Sequence, residues 1–406
     1  MIRLAPLVRP LPVVLIGLAA ATAPAQESPF RFRGFGTLAA VHSSEKNADF
    51  TSNFAQPSGP GHTRSVDFGV DSHLGLQADL KLPARFSAVV QVVSERRYDK
   101  TFTPYLNMAN LKFQALPGLA FRVGRMPFSA YLISDYQKVG YSTPWVRPPV
   151  EVYQFNPLTY FDGGDALWKQ QLGPVALSGQ VLFAVTEAKL PLAGGIATFK
   201  GKDALAANAT AEIGSATFRV FYLQMKGTVD SAALDGPTGP FTLLRNLPPA
   251  FGGNPALADR YQVKGDRITY ASVGFNYDPG DWFFMAEAAR NAGEENILLH
   301  ATAAYATAGF RLQSWTPYFT AAWKQTDSPT SSPNPIVTAL IRGNDHAQTS
   351  FGAGLRWDFM AGAALKAQFD RVDHAAGSTG ALVNQQPAFM PGGTYNLITA
   401  TIDFVF

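Results

Sequence analysis

Apolar and polar residues alternate with a period of two over segments of about ten residues, and the pattern recurs along almost the whole chain after residue 26. The clearest case runs from Asp67 to Leu80. There Phe68, Val70, Leu74, Leu76, Ala78 and Leu80 share one face, and Asp67, Asp71, His73, Gln77 and Asp79 share the other. This period predicts two-sided β-strands near 31–41, 66–80, 84–96, 104–115, 119–125, 164–171, 175–187, 204–213, 216–226, 267–277, 281–290, 297–311, 315–325, 347–359, 363–372 and 394–406, about sixteen in all. The connections between them alternate in length. Short ones such as Leu116-Pro117-Gly118, Leu172-Gly173-Pro174 and Asp278-Pro279-Gly280 are rich in turn-forming residues. The others, at 42–65, 97–103, 126–163, 188–203, 227–266, 291–296, 326–346 and 373–393, are generally longer. A single strand cannot separate a soluble sandwich from a membrane barrel, but a sandwich has no reason to keep this alternation. The expected fold is therefore all-β, a transmembrane antiparallel barrel with short turns at one end and long loops at the other.

The longest loop before the middle of the chain, Met126 to Gly163, carries prolines at 127, 144, 148, 149 and 157. That density rules out a continuous strand ladder and opposes a long helix. The loop also carries clustered aromatics and both signs of charge, and it is expected to fold into the barrel and narrow it.

Composition adds constraints. The chain has 406 residues, 47% hydrophobic and 16% charged, and no cysteine, so thiolate zinc sites, disulfides and thiol nucleophiles are all excluded. Arg3 and Arg9 precede an apolar run from Leu11 to Ala21 and then Ala23-Pro24-Ala25, the pattern of a cleaved secretory leader over 1–25. No composition shift divides 26–406, which is expected to be one domain. The formal charge of +3 falls to +1 once Arg3 and Arg9 are removed, and nothing in it points to nucleic acid.

Strand parity assigns Arg31, Arg33, Arg85, Lys112, Arg122, Arg219, Lys324, Arg356 and Lys366 to the pore wall, with Asp67, Asp71, Asp79, Glu287, Asp358, Asp370 and Asp403 as acidic counterparts. A lipid-facing Arg or Lys at mid-membrane costs about 2–4 kcal/mol, which favours the lumen. In the loop, Asp135, Lys138, Arg147, Glu151 and Asp162 supply both signs at the expected constriction. A basic wall opposite an acidic loop would create a transverse field that favours polar solutes. In Trp145-Val146-Arg147-Pro148-Pro149-Val150-Glu151-Val152-Tyr153, Arg147 has the chemistry to pair with a carboxylate or phosphate and the aromatics to stack on a ring. The favoured role for Trp145 and Tyr153 is to pin the loop to the wall. Catalytic signatures are poor: the six histidines are scattered, and no H-E-x-x-H or G-x-S-x-G occurs. Gly34-Phe35-Gly36-Thr37-Leu38-Ala39 matches a dinucleotide fingerprint by letter only, since it lies inside a strand. No cofactor, metal or catalytic residue is expected.

The final segment puts Ile398, Ala400, Ile402, Phe404 and Phe406 on one face, with Thr399, Thr401 and Asp403 on the other. This ending resembles the terminal strand of Gram-negative outer-membrane proteins. With the leader, the opening Arg31-Phe32-Arg33-Gly34-Phe35-Gly36 strand, the strand count and the inserted third long loop, the chain resembles the general bacterial porin superfamily. The loop lacks the Pro-Glu-Phe-Gly type of motif that many trimeric general porins carry. The resemblance implies an outer-membrane channel for small hydrophilic solutes, with Phe404 and Phe406 in the periplasmic aromatic girdle. It also implies recognition of the last strand by the barrel-assembly machinery, and association as a homotrimer in lipid. The alternatives are a channel specific for anions or small organic acids, a barrel hydrolase acting at the lipid boundary, and a plugged structural barrel.

Overall fold

The computed structural model describes residues 28–154, 158–192 and 194–406; the expected leader at 1–25 lies outside the described residues. Sixteen strands build the wall: β1 (Phe30–Ser43), β2 (His73–Lys81), β3 (Phe86–Glu95), β4 (Tyr105–Leu116), β5 (Leu119–Pro127), β6 (Tyr160–Leu172), β7 (Val175–Leu192), β8 (Gly195–Ile213), β9 (Ala216–Asp230), β10 (Lys264–Tyr277), β11 (Trp282–Gly293), β12 (Ala301–Phe310), β13 (Trp315–Thr326), β14 (Gln348–Met360), β15 (Ala363–His374) and β16 (Thr394–Val405). Each pairs antiparallel with its neighbour, and β1 closes on β16 from Phe35↔Val405 to Ser43↔Leu397. Closure pairs the edges that an open sheet would leave bare, as a lipid-embedded backbone requires.

The wall has the predicted two faces. In β16, Thr399, Thr401 and Asp403 are buried in the lumen while Ile398 and Ile402, with Phe406 just past the strand, are exposed outside, and Val181, Phe183 and Val185 of β7 and Phe218, Val220 and Tyr222 of β9 continue the outer apolar band. Gly34 and Gly36 have a packing role in β1. The rings of Phe406 and Phe404 lie where side chains at these positions would stand, and Gly34 exchanges backbone hydrogen bonds with Phe406 at 2.8 and 3.0 Å.

Three expectations are corrected. The segment 66–80 is not one strand: Val66–Asp67 pairs briefly with β1, and the ladder resumes at His73. The cause is Asp67, whose carboxylate accepts from the amides of Gly69 and Val70 at 2.7 and 2.9 Å and pairs with Arg96 at 2.7 Å, turning the chain. Asp67 is thus fixed in the base of a loop rather than on the wall. The loop expected at 188–203 is a continuation of β7 and β8, with Thr198↔Lys189 and Lys200↔Glu187 in register. Finally, the interior is not polar throughout. Phe128, Tyr131 and Tyr153 from the third loop pack against Phe161, Phe221, Tyr270 and Tyr305 of the wall, with Phe128 and Phe221 centroids 5.5 Å apart. Short helices at Pro240–Asn246, Pro255–Tyr261 and Pro335–Arg342 in the long loops add Leu244, Ala258, Val337 and Ile341 to the same core.

Candidate pore and its constricting loop

The segment between β5 and β6 lies inside the barrel, and its attachments can be followed around the wall. On the outgoing limb, Ser129 donates to Gln180 of β7 at 2.7 Å, and its carbonyl accepts from Arg219 of β9 at 2.8 Å. Ser272 of β10 donates to the Ala130 carbonyl at 2.5 Å, and the Leu132 amide donates to Glu287 of β11 at 2.8 Å. The tip crosses to the opposite wall. There Lys138 pairs with Glu95 of β3 at 2.6 Å, and His73 of β2 donates through Nε2 to the Lys138 carbonyl at 2.7 Å. Lys366 of β15 then donates to the carbonyls of Gly140 and Trp145 at 2.7 and 2.8 Å, and Arg356 of β14 to those of Tyr141 and Thr143 at 2.6 and 2.9 Å. Proline-rich backbone cannot satisfy its own carbonyls in a ladder, so the wall cations satisfy them.

The return limb is buried. Trp145 donates its indole N–H to Thr307 and Thr320 at 3.0 and 3.2 Å. Arg147 places its guanidinium against Asp71 at 2.7 Å and Asp370 at 3.3 Å, and also donates to Thr399. Gln348 donates to Glu151 at 2.7 Å, while Tyr153 donates to Glu287, which also accepts from Tyr305 at 2.7 Å.

The predicted site residues therefore divide. Lys138, Arg147 and Glu151 lie on the loop in contact with the wall, and Asp135 is exposed on it. Asp162 belongs to β6, not to the loop, and falls on the opposite parity from the buried Phe161 and Asp165. It faces outward in a pair with Arg125 at 2.6 Å. Arg219, Arg356 and Lys366 point into the lumen and end on loop carbonyls, and Lys324 shares their inward parity with its ammonium 5.4 Å from the Phe54 ring. Arg122 forms a fork with Asp165 at 2.5 Å, and Lys112 sits directly across from it in register. Arg33 pairs with Asp79 at 2.6 Å near the short-turn end, where Arg31 is also exposed. Arg85 is not on the wall but in a turn, at φ +67°, donating to the Ala115 carbonyl at 3.1 Å. Phe404 and Phe406 stack on the outer face with centroids 6.3 Å apart.

The opposed basic wall and acidic loop are not found. Instead the loop base Arg147 meets wall acids, and wall bases meet neutral carbonyls. Sequence reasoning missed Glu95 and Asp165, and it placed His73 on the polar face of its strand without a role at the site. Glu95 was detectable, since it shares with Gln91 the one polar parity of an otherwise apolar strand.

Among the cavities that touch the loop, two lie on opposite sides of it. One, of about 150 Å³, lies on the long-loop side and is lined by Thr37, Ser52, Asn53, Glu95, Lys138 and Arg147 among others. The second, of about 330 Å³, lies on the short-turn side against Tyr141, Asp278, Arg311, Arg356 and Asp358. Thr143 lines both.

No family model matches the sequence, and no curated protein does either. Solved structures do match in shape. The OmpF complex with daunomycin from Salmonella typhi superposes with a TM-score of 0.55 at 10% identity, covering 93% of this chain and 97% of that one. The anion-selective porin from Comamonas acidovorans gives 0.54 at 10% identity, covering 93% and 99%. The trimer form of in-vitro folded OmpT from Vibrio cholerae gives 0.53 at 12% identity, also covering 93% and 99%. The fold is that of the outer-membrane porins. Such coverage leaves little of those chains unmatched, and at 10–12% identity what is shared is the architecture.

Proposed function

We propose that this chain is an integral outer-membrane porin through which small hydrophilic solutes diffuse passively, without cofactor, metal or covalent step. The observation that carries this reading is the closed wall, apolar outside and polar over part of its inner parity, with a loop suspended across it and a cavity on each side. A circumferential band of exposed Phe, Val, Leu and Trp side chains is a costly surface in water and a suitable one in lipid. The cleaved leader over 1–25, recognition of the last strand by the assembly machinery and a homotrimer joined through the outer wall belong to the same proposal. The trimer form of the Vibrio cholerae structure supports the last of these. The alternative, a channel for anions or small organic acids relying on Arg147 and the wall arginines, is weakened at Arg147, whose guanidinium is committed to Asp71 and Asp370.

Planar-bilayer conductance of the purified protein tests the proposal. The folded barrel should give discrete conductance steps, and deletion of Gln137 to Arg147 should enlarge them. Folded protein with no conductance and no solute flux in liposome swelling would mark a plugged barrel. Lipid hydrolysis without conductance would mark an enzyme.

A further inference from the structure

The cavities on the two sides of the loop share an electrostatic property that the strand pattern does not imply. Among the described residues, every carboxylate lining either cavity is ion-paired with a base lining the same cavity. On the long-loop side the pairs are Arg147–Asp71 at 2.7 Å and Lys138–Glu95 at 2.6 Å; on the short-turn side they are Arg311–Asp278 at 2.6 Å and Arg356–Asp358 at 2.7 Å. The remaining titratable groups of the first cavity are His73, whose ring is engaged by the Lys138 carbonyl, and the phenols of Tyr131 and Tyr153. The rest of the polar lining there is hydroxyl and carboxamide, including Thr37, Ser52, Asn53, Gln56, Ser134 and Gln137.

Two opposite charges in contact present a dipole, whose potential falls off more steeply with distance than that of a single charge, and salt screens the remainder. An ion leaving its hydration shell gains little from such a lining. A neutral solute rich in hydroxyl or amide groups exchanges its water for equivalent donors and acceptors. Building on the channel reading above, we propose that this pore favours neutral hydrogen-bonding solutes, of the sugar or amide class, over ions of either sign. Glu95 and Lys138 hold the balance. Their side chains are 17% and 22% exposed and meet water, whereas Arg147 and Asp71 at 7% and 5% are sealed. Glu95 also accepts from the Tyr105 hydroxyl at 2.7 Å, so its carboxylate stays in place when Lys138 is altered.

The test is reversal potential in a KCl gradient, with liposome swelling in glucose, gluconate and glucosamine. Wild-type protein should show a potassium-to-chloride permeability ratio near unity and swell fastest in glucose. One uncompensated charge roughly 8 Å from a permeating ion in water changes each ion's occupancy about 2.4-fold, in opposite senses, so the ratio should move about sixfold. Glu95→Gln leaves Lys138 unbalanced and should shift the ratio towards chloride; Lys138→Gln should shift it towards potassium. The double variant should return to the wild-type ratio, and heat-modifiable migration on gels confirms that each barrel is folded. Conductance with strong ion preference in the wild type, faster swelling in gluconate or glucosamine, or two single variants that shift the ratio in the same direction would overturn this inference and leave the channel standing. Folded wild-type protein without conductance would overturn the channel reading itself.

Discussion

Replacing Arg147 with methionine should release the return limb of the loop without opening the barrel. The guanidinium sits among Asp71, Asp370 and Thr399, with its side chain and that of Asp71 nearly excluded from solvent. Methionine keeps much of the length and apolar stem but leaves two carboxylates facing each other without a counter-charge. Breaking a buried pair in this way costs about 3–5 kcal/mol, which shifts the docked-to-undocked equilibrium of the limb about a hundredfold to a few thousandfold. None of this energy belongs to the strand ladder, so resistance of the barrel to heat and detergent should stay close to that of the wild type. Two assays read the loop directly. Single-channel records of Arg147→Met should show larger, noisier steps, and trypsin should cut at Lys138, which is tied to Glu95 in the docked loop. Adding Asp71→Asn and Asp370→Asn removes the stranded charges and should restore most of the trypsin resistance, since the cost lies in the unpaired acids. An Arg147→Met protein with wild-type steps and wild-type resistance to trypsin would refute the anchoring argument.

Two further outcomes follow from the same contacts. Trp145→Phe removes the donor shared by Thr307 and Thr320 but keeps the ring packing, so it should loosen the limb by about 1 kcal/mol, a smaller increase in channel noise than Arg147→Met produces. In the short turn after β10, hydrogen bonds from Arg311 hold the Asp278 carboxyl below its ordinary value of 3.8. A depressed carboxyl contributes stability that is complete above 3.8 and lost as pH falls through the folded value below it. Asp278→Asn should therefore lower the denaturation temperature at pH 7 and leave it unchanged at pH 2; an equal effect at both would exclude the ion pair as the cause.

The barrel was legible because its wall obeys a local rule. Each strand must show apolar residues outside at alternate positions, so β2, β9 and β16 announce themselves without reference to any neighbour. The rule failed at 195–203, where Lys200 and Lys202 point out beyond the apolar band while Ala197 and Phe199 point inward, reversing the expected polarity. It failed also at Asp162, because β6 begins at Tyr160, inside what looked like loop.

The sequence by itself determined the class, the approximate strand number, the alternation of turns and loops, and which segment enters the lumen, since each depends on residues close together in the chain. Only the tertiary structure decided what the charges do. Arg147 is separated by 76 positions from Asp71 and by 223 from Asp370, and Lys366 reaches Gly140 across 226. Strand parity tells which side of the wall a charge occupies, but not how far around the cylinder or how deep along it the partner lies. Closure of the barrel and the path of the loop set those two distances, and they convert an expected field across the pore into local contacts, ion pairs such as Arg147 with Asp71 and cations on loop carbonyls.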